Sequence, residues 1–518
     1  MAIEYRYQNF YEAIEYNAKS SPKKPIIFIE DRKVDNLRFK QKIDTFARFL
    51  EFSGIKAGDR VAIVVGNSEE FMISLFAITK IGAIAVPINT FLKKEEFEYI
   101  LNDCEAKILI SSPNFSEETK NLIFSTKVEK IVWTEAYDAL DEKNYSFVEI
   151  VGSIETHEQI SNPPKLEDIA CIVYTSGTTG QPKGAMLSYK NIFSNVWSGS
   201  EAFKISQKDR FLVFLPMFHS FTLSIMVILP VMVNSSVIIV KSVFPFANVL
   251  KQALLKRATI FLGVPTLYNS LIKAKIPWYF MWFNKIRVFI SGSAPLSEAS
   301  LVEFSKKFKN AVLTEGYGLS ECSPAVAVNR LDKQKPLSVG LPLGDYEIKI
   351  VDDEMIELPV GEVGEIIVKG DCVMKGYLNR PETTQETIIN GWLLTGDLGK
   401  LDEDGFLYIV DRKKDLIISK GINIYPREIE EVIAKYDGVA SVAVIGRAKA
   451  SKDEEPIAFV ETKEDCEIGE LELKKYLKKH LADFKVPKQI YFVEELPKNA
   501  TGKVLKRVLK EQIAKENF

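Results

Sequence analysis

Short apolar runs, each followed at once by a stretch with helical periodicity, set the narrowest limit on what this chain can fold into. Asp59-Arg-Val-Ala-Ile-Val-Val65 precedes Glu69-Glu-Phe-Met-Ile-Ser-Leu-Phe-Ala-Ile-Thr-Lys-Ile-Gly82. Lys107-Ile-Leu-Ile110 precedes Ser116-Glu-Glu-Thr-Lys-Asn-Leu-Ile-Phe124, and Lys285-Ile-Arg-Val-Phe-Ile-Ser-Gly292 precedes Ser297–Phe308. Runs of that length with β-branched residues read as buried strands, and strand-then-helix repetition builds α/β layers on largely parallel sheets. The fold class expected is therefore α/β, with a large N-terminal domain of layered sheets. No short-period repeat interrupts the pattern.

At 518 residues the chain is too long for one core. Its texture changes near residue 340, where Gly361-Glu-Val-Gly-Glu-Ile-Ile-Val-Lys-Gly-Asp371, Gly376-Tyr-Leu-Asn379, Gly391–Gly399 and Glu403–Val410 read as short strands split by Gly and Asp turns. This suggests a small β-rich subdomain over about 340–410. Asp411-Arg-Lys-Lys-Asp415 then breaks the apolar pattern, and a fresh helix opens at Pro426. The boundary is expected near Asp411, dividing an N-terminal domain (1–411) from a small, mobile C-terminal α+β domain (412–518).

Several function classes are disfavoured by composition. A net charge of −3 gives no global attraction to nucleic acid. Five scattered cysteines without a CxxC pair argue against a disulfide framework or zinc site and fit a reducing cytosol; three histidines are too few for a His-rich metal centre. The first residues lack the basic and apolar regions of a signal peptide. Phe211–Val240 carries no Asp, Glu, Lys or Arg, but Pro216, Pro230, His219 and Asn234 interrupt it, so it reads as strand, buried helix and strand rather than a membrane span. Residues 471–518 hold twelve Lys/Arg against six Asp/Glu, a solvated helical end or a polyphosphate-facing surface.

The strongest local signal is Tyr174-Thr-Ser-Gly-Thr-Thr-Gly-Gln-Pro-Lys-Gly184, set between the apolar run Ile169–Val173 and a helix with Ser188 as N-cap. Gly177, Gly180 and Gly184 are expected to take positive φ and let backbone N–H groups nest around an anion. Thr175, Ser176, Thr178 and Thr179 add hydroxyls, and Lys183 adds a point charge. No GK[ST] closes the loop, so it is not a Walker motif.

Other candidates are weaker alone. In Thr314-Glu-Gly-Tyr-Gly-Leu-Ser-Glu321, Gly316 and Gly318 are expected to put Tyr317 on a tight turn, where its ring could stack on a base. Glu321 is either a Mg²⁺ ligand or a solvated helix-start acid. Gly292, Ser293 and Ala294 form a small-residue strand end where a flat ring could lie. Asp397, in Gly391-Trp-Leu-Leu-Thr-Gly-Asp397, is either a ribose-diol acceptor or an ordinary turn aspartate. Arg412 could reach ribose or phosphate, or form a surface interdomain ion pair. Lys503, in Leu496-Pro-Lys-Asn-Ala-Thr-Gly-Lys503, is either solvent decoration or a cation delivered to a transition state.

Taken in order, these motifs, together with Asp411-Arg-Lys-Lys-Asp-Leu-Ile-Ile-Ser-Lys-Gly-Ile-Asn-Ile-Tyr-Pro-Arg-Glu-Ile-Glu430, resemble the adenylate-forming superfamily of acyl-CoA synthetases, amino-acid-activating domains and luciferases, most closely its long-chain fatty acid–CoA ligases. The resemblance spans nearly the whole chain. It implies an ATP- and Mg²⁺-dependent acid–thiol ligase with coenzyme A as co-substrate. It assigns phosphate binding to the 174–184 loop, adenine contact to Tyr317 with Gly316, Gly318 and Ser320 beside it, and metal binding to Glu321 helped by Thr175. Ribose falls to Asp397 and Arg412, the adenylation step to Lys503, the hinge to Lys414 and the thioester step to Lys420 and Gly421. Ser320 stands where Thr is common, and its hydroxyl survives.

For the acid, Phe218, His219, Gly263 and Thr266 resemble the family's acyl pocket; a packed core histidine is an equal reading of His219. No acid in Phe214–Thr222 stands ready to meet an α-ammonium, which favours a medium- or long-chain fatty acid over an amino acid. An aromatic or other acid, and an acyl-carrier protein as thiol acceptor, remain alternatives. Pro277-Trp-Tyr-Phe-Met-Trp-Phe283 is either core or a site of peripheral membrane contact on an otherwise cytoplasmic protein. No nucleic acid and no obligate protein partner are expected.

Overall fold

The computed structural model describes residues 5–514 apart from 138–139, 154–162, 176–180, 244, 293–295, 420–421, 449–453, 464–465 and 499–503. Contacts divide the chain into two compact units, residues 1–347 with 368–393, and residues 348–367 with 394–518.

The first unit carries two large sheets. In one of nine strands, Arg210–Val213 lies between Ser236–Ile239 and Ile260–Gly263, and Val288–Ser291 and Val312–Gly318 follow outward from the latter. These neighbours all pair in parallel. The chain leaves the first of these strands, adds one neighbour, and crosses back to build the other side. In the eight-stranded sheet Arg60–Val64 takes the same place between Ile84–Pro87 and Ile108–Ser111, again in parallel. Strand order reversing about a first strand is the doubly wound pattern, and ligands in such sheets bind outside the carboxyl ends at the reversal.

These strands are apolar on both faces because helices cover both. Val61, Ala62, Ile63 and Val64 are wholly buried, as are Phe211 and Leu212. Glu69–Lys80 is capped by Ser68 and buried along its length. The charge-free stretch behaves as the sequence suggests: strands at Arg210–Val213 and Ser236–Ile239 flank buried helical turns over Ser220–Met232. Among the described residues no helix is long and apolar enough to cross a membrane.

The segment read as a β-rich subdomain is shared between the units. Gly376–Tyr377 pairs with Lys183–Ser188 and closes the edge of the eight-stranded sheet. The strand pair Trp392–Leu401 and Leu407–Arg412 falls almost wholly in the second unit. That unit also holds the antiparallel pair Val439–Ala448 and Glu454–Thr462, extended in parallel by Gln489–Val493. The helices Pro426–Ile433 and Glu470–His480 pack over a core that includes Ile429, Val444, Val460 and Leu473.

Candidate functional site

Ile169–Thr175 turns back on itself after the phosphate-loop sequence. Lys183–Ser188 pairs antiparallel with it, Thr175 opposite Lys183 and Tyr174 opposite Gly184, before Ser188 opens the helix Tyr189–Ala202. The loop is therefore a hairpin tip, where the sequence suggested a direct passage from strand to helix. Ser188 accepts from the Asn191 N–H, and Asn191 Oδ1 accepts from the Ser188 N–H, so the N-cap is closed both ways. Ser176, Gly177, Thr178, Thr179 and Gly180 lie outside the described residues.

The stems on either side are firmly held. Tyr174 donates its hydroxyl to Asp103 (2.7 Å), which also pairs with Arg380 (3.1 Å), and Tyr99 donates to the Pro182 carbonyl (3.2 Å). Gly184 does not take positive φ, contrary to the sequence reading. It is glycine because a Cβ there would sit 2.7 Å from Ile172 and 3.1 Å from the Tyr174 ring.

The carboxyl ends of the nine-stranded sheet bring together candidates far apart in sequence. Phe218 and His219 follow the strand ending at Val213, Thr266 follows the one ending at Gly263, and Gly292 follows Ser291; Gly316–Gly318 ends the next strand. Parallel pairing puts these four ends on one edge. Cross-links then fix it. The Ser220 and Ser320 hydroxyls are 2.9 Å apart, and a Cβ on Gly292 would strike the Phe221 ring at 2.7 Å. The fully buried Tyr268 donates to the Ile290 carbonyl and lies against Gly263. Thr266 is exposed at the start of the helix Pro265–Lys273.

The corresponding edge of the eight-stranded sheet meets this one. Asn67, just past Val64, donates to the Leu215 carbonyl (3.0 Å) and accepts from the Met217 N–H (2.9 Å). Phe91 sets its ring 6.3 Å from that of Phe218. Phe218 is buried between the two.

Tyr317 is not on a tight turn. Gly316, Tyr317 and Gly318 are extended and pair antiparallel with Ala325–Val328; the turn comes after them, at Ser320–Cys322. The flanking glycines answer to crowding: a Cβ on Gly318 would lie 2.1 Å from the Pro324 carbonyl oxygen. Asp397 likewise stands in the strand Trp392–Leu401 directly opposite Arg412, although Gly396 before it has φ +70°. Arg412 Nε is 3.4 Å from Asp397 Oδ1, an ion pair within the second unit, to which both belong. Asp411 is buried and accepts from the Arg427 N–H, while Lys414 is exposed in the turn Lys413–Asp415 and its pKa is lowered by desolvation and by Arg412. Ser293, Ala294, Lys420, Gly421 and Lys503 lie outside the described residues.

One residue escaped the sequence reading. Tyr377 donates to Glu321 Oε1 at 2.8 Å, and its ring lies 5.4 Å from Lys183 Nζ. It therefore ties the half-buried carboxylate to the lysine of the hairpin. Its only sequence signal was a Gly-Tyr pair 56 positions from Glu321. Only Oε1 of Glu321 takes part in that bond. Among the described residues no group of three His, Cys, Asp or Glu could hold a metal on its own. A single carboxylate is the kind of donor that fits Mg²⁺, which takes few protein ligands and completes its shell with phosphate oxygens and water.

Comparison with known proteins decides the family. The model of the AMP-binding enzyme family matches residues 14–378, and that of the AMP-binding enzyme C-terminal domain matches 428–503. This chain belongs to the AMP-binding enzyme family. It is an adenylate-forming, AMP-forming acid–thiol ligase. A long-chain-fatty-acid–CoA ligase of Salmonella typhimurium is 33% identical, over 98% of this chain and 95% of that one. A 2-succinylbenzoate–CoA ligase of Bacillus cereus is also 33% identical, over 95% and 96%. The structure of an anthranilate CoA ligase in complex with anthranoyl-AMP superposes with a TM-score of 0.89 at 28% identity, covering 99% of both chains.

In this ligase His219 gives a pH-dependent signature. Its Nδ1 accepts from the Phe221 N–H (3.4 Å), and burial lowers its pKa below the ordinary value of 6.5. The unfolded chain then binds the proton more readily than the folded one, so stability is full above pH 6.5 and falls as pH drops toward the folded-state pKa. His219→Asn keeps a cap acceptor without titrating. Denaturant midpoints of wild type and H219N, measured from neutral pH downward, are expected to move with the wild type losing more ground below pH 6.5; parallel curves would refute the buried neutral imidazole.

Proposed function

We propose that this enzyme is a fatty acid–CoA ligase acting on medium- or long-chain acids. In the first step the acid's carboxylate oxygen attacks the α-phosphorus of ATP; the P–O bond to the β-phosphate breaks, giving acyl-AMP and pyrophosphate. In the second the thiol of coenzyme A attacks the acyl carbonyl, the acyl–phosphate bond breaks, and AMP leaves as the thiol proton is released.

The observation that carries the acid's nature is the charge-free wall beside the sheet edge. Residues 211–240 bring no ionised side chain to it; Met217 and Phe218 stand where the two sheets meet, and the Phe221 ring lies against Gly292. Such a wall accepts an alkyl chain and repels an ammonium. The fatty-acid ligase relative, aligned over nearly its whole length, supports the same reading. A second reading, an aromatic acid, is favoured by the succinylbenzoate and anthranilate ligases, which are similarly close.

The residue roles follow the family resemblance. The 174–184 loop with Lys183 would hold the β- and γ-phosphates, and Glu321 with Thr175 would hold Mg²⁺, whose charge offsets that building on the departing pyrophosphate. Tyr317 and Gly292 would flank adenine, Asp397 and Arg412 the ribose, Lys503 the adenylation step, and Gly421 with Lys420 the approach of coenzyme A.

Thioester formation with a panel of saturated fatty acids, 2-succinylbenzoate and anthranilate separates the readings. Activity is expected to peak among fatty acids; a peak on an aromatic acid would replace this proposal by the second. Tyr377→Phe removes the hydrogen bond to Glu321 and keeps the ring under Lys183. A bond to an ionised group contributes about 1.5–3 kcal/mol, so the concentration of Mg·ATP giving half-maximal rate is expected to rise by about 10-fold or more, with the KM for the acid unchanged. An unchanged Mg·ATP dependence would refute the role given to Tyr377.

A further inference from the structure

The aromatic run at residues 277–283 lies largely outside the core. In the helix Trp278–Phe283, Trp278 is 71% exposed, Trp282 79% and Phe283 60%, with Tyr279 also exposed. Phe280 and Met281 turn inward and pack with Phe246, Leu250 and Tyr268. The approach to the helix is fixed: Lys307 Nζ donates to the carbonyls of Leu271, Ile272 and Ala274 at 2.8, 2.7 and 2.6 Å. Asn284 Nδ2 closes the other end on the Phe280 carbonyl. Two indoles and two further rings are thus held in water by a braced support.

The charge of the sequence on either side of them is one-sided. From Arg210 to Ser297 the chain has nine Lys and Arg and no Asp or Glu. Lys273, Lys275 and Lys285 flank the aromatic helix and are exposed. A second copy of this chain docking through the same face would set these cations against their equivalents. Tryptophan and tyrosine favour the boundary between headgroup and acyl chain, and clustered lysines favour anionic lipid.

We propose that the Trp278–Phe283 helix, flanked in sequence by the exposed Lys273, Lys275 and Lys285, docks this enzyme on the surface of an anionic bilayer. The rings enter the headgroup boundary and the ammonium groups meet lipid phosphates. The helix Pro265–Lys273, which begins beside Gly263 at the sheet edge, leads directly into the patch. A bilayer-dissolved fatty acid would then be presented next to the proposed acyl wall, a consequence that rests on the fatty-acid reading; the docking itself does not.

Flotation of the full chain with vesicles tests this without any turnover, so its failure is distinct from failure of the fatty-acid reading. Vesicles of phosphatidylcholine with about 30 mol% phosphatidylglycerol are compared with phosphatidylcholine alone. The wild type is expected to float with the anionic vesicles about tenfold more than with the neutral ones. W278S/W282S is expected to lose that binding with its unfolding midpoint unchanged, since both side chains are exposed. K273Q/K275Q/K285Q is expected to lose only the preference for anionic lipid, and Phe124→Ser, at another exposed ring, to change nothing. The proposal is overturned if the wild type floats with neither vesicle or if W278S/W282S floats as the wild type does. It is equally overturned if sedimentation shows a dimer that W278S/W282S dissolves while vesicles bind nothing.

Discussion

Antiparallel pairing of Ile169–Thr175 with Lys183–Ser188 is the constraint on which the candidate site depends. A parallel sheet ordinarily sends its chain straight from strand into helix. Here the chain returns along its own strand first, which brings Lys183 back opposite Thr175. Gly184 makes the return possible by leaving room for Ile172 and Tyr174. The returning strand offers an edge, and Gly376–Tyr377 pairs with it. That pairing carries Tyr377 to Glu321 and under Lys183. Lysine, ring and carboxylate are thus one consequence of one hairpin.

Adenylation asks a carboxylate to approach a phosphate that is already negative, so cations must be in place before the reactants meet. Two doubly wound sheets present their carboxyl ends to each other, cross-linked through Asn67 and Phe218. One edge supplies apolar surface around Phe218, and the other carries the hairpin stems at Thr175 and Lys183.

The layer architecture was legible because fully buried parallel strands have an unmistakable composition: Val61–Val64 and Phe211–Val213 have few other homes. Candidate positions were legible from motif order, yet the reasons given for their glycines were not. Sequence suggests φ as the reason for a glycine, whereas Gly184, Gly316 and Gly318 answer to neighbours from other strands, which only the fold reveals. Lys183–Ser188 was missed as a strand because a six-residue segment reading Lys-Gly-Ala-Met-Leu-Ser carries little β signal. Asp397 looked like a turn residue because of Gly396 beside it, but its register with Arg412 is set by the partner strand. Tyr377 was silent because its meaning lies wholly in long-range contact. The exposure of Trp278 and Trp282 was undecidable from composition, since the same rings would suit a core.

The central claim is activation of a carboxylic acid as its adenylate, and exchange of labelled pyrophosphate into ATP reads that step alone. With Mg²⁺, ATP and a fatty acid but no thiol, label is expected to enter ATP at a rate that depends on the acid. Label that enters only when coenzyme A is present, or release of ADP and phosphate in place of AMP and pyrophosphate, would contradict the account.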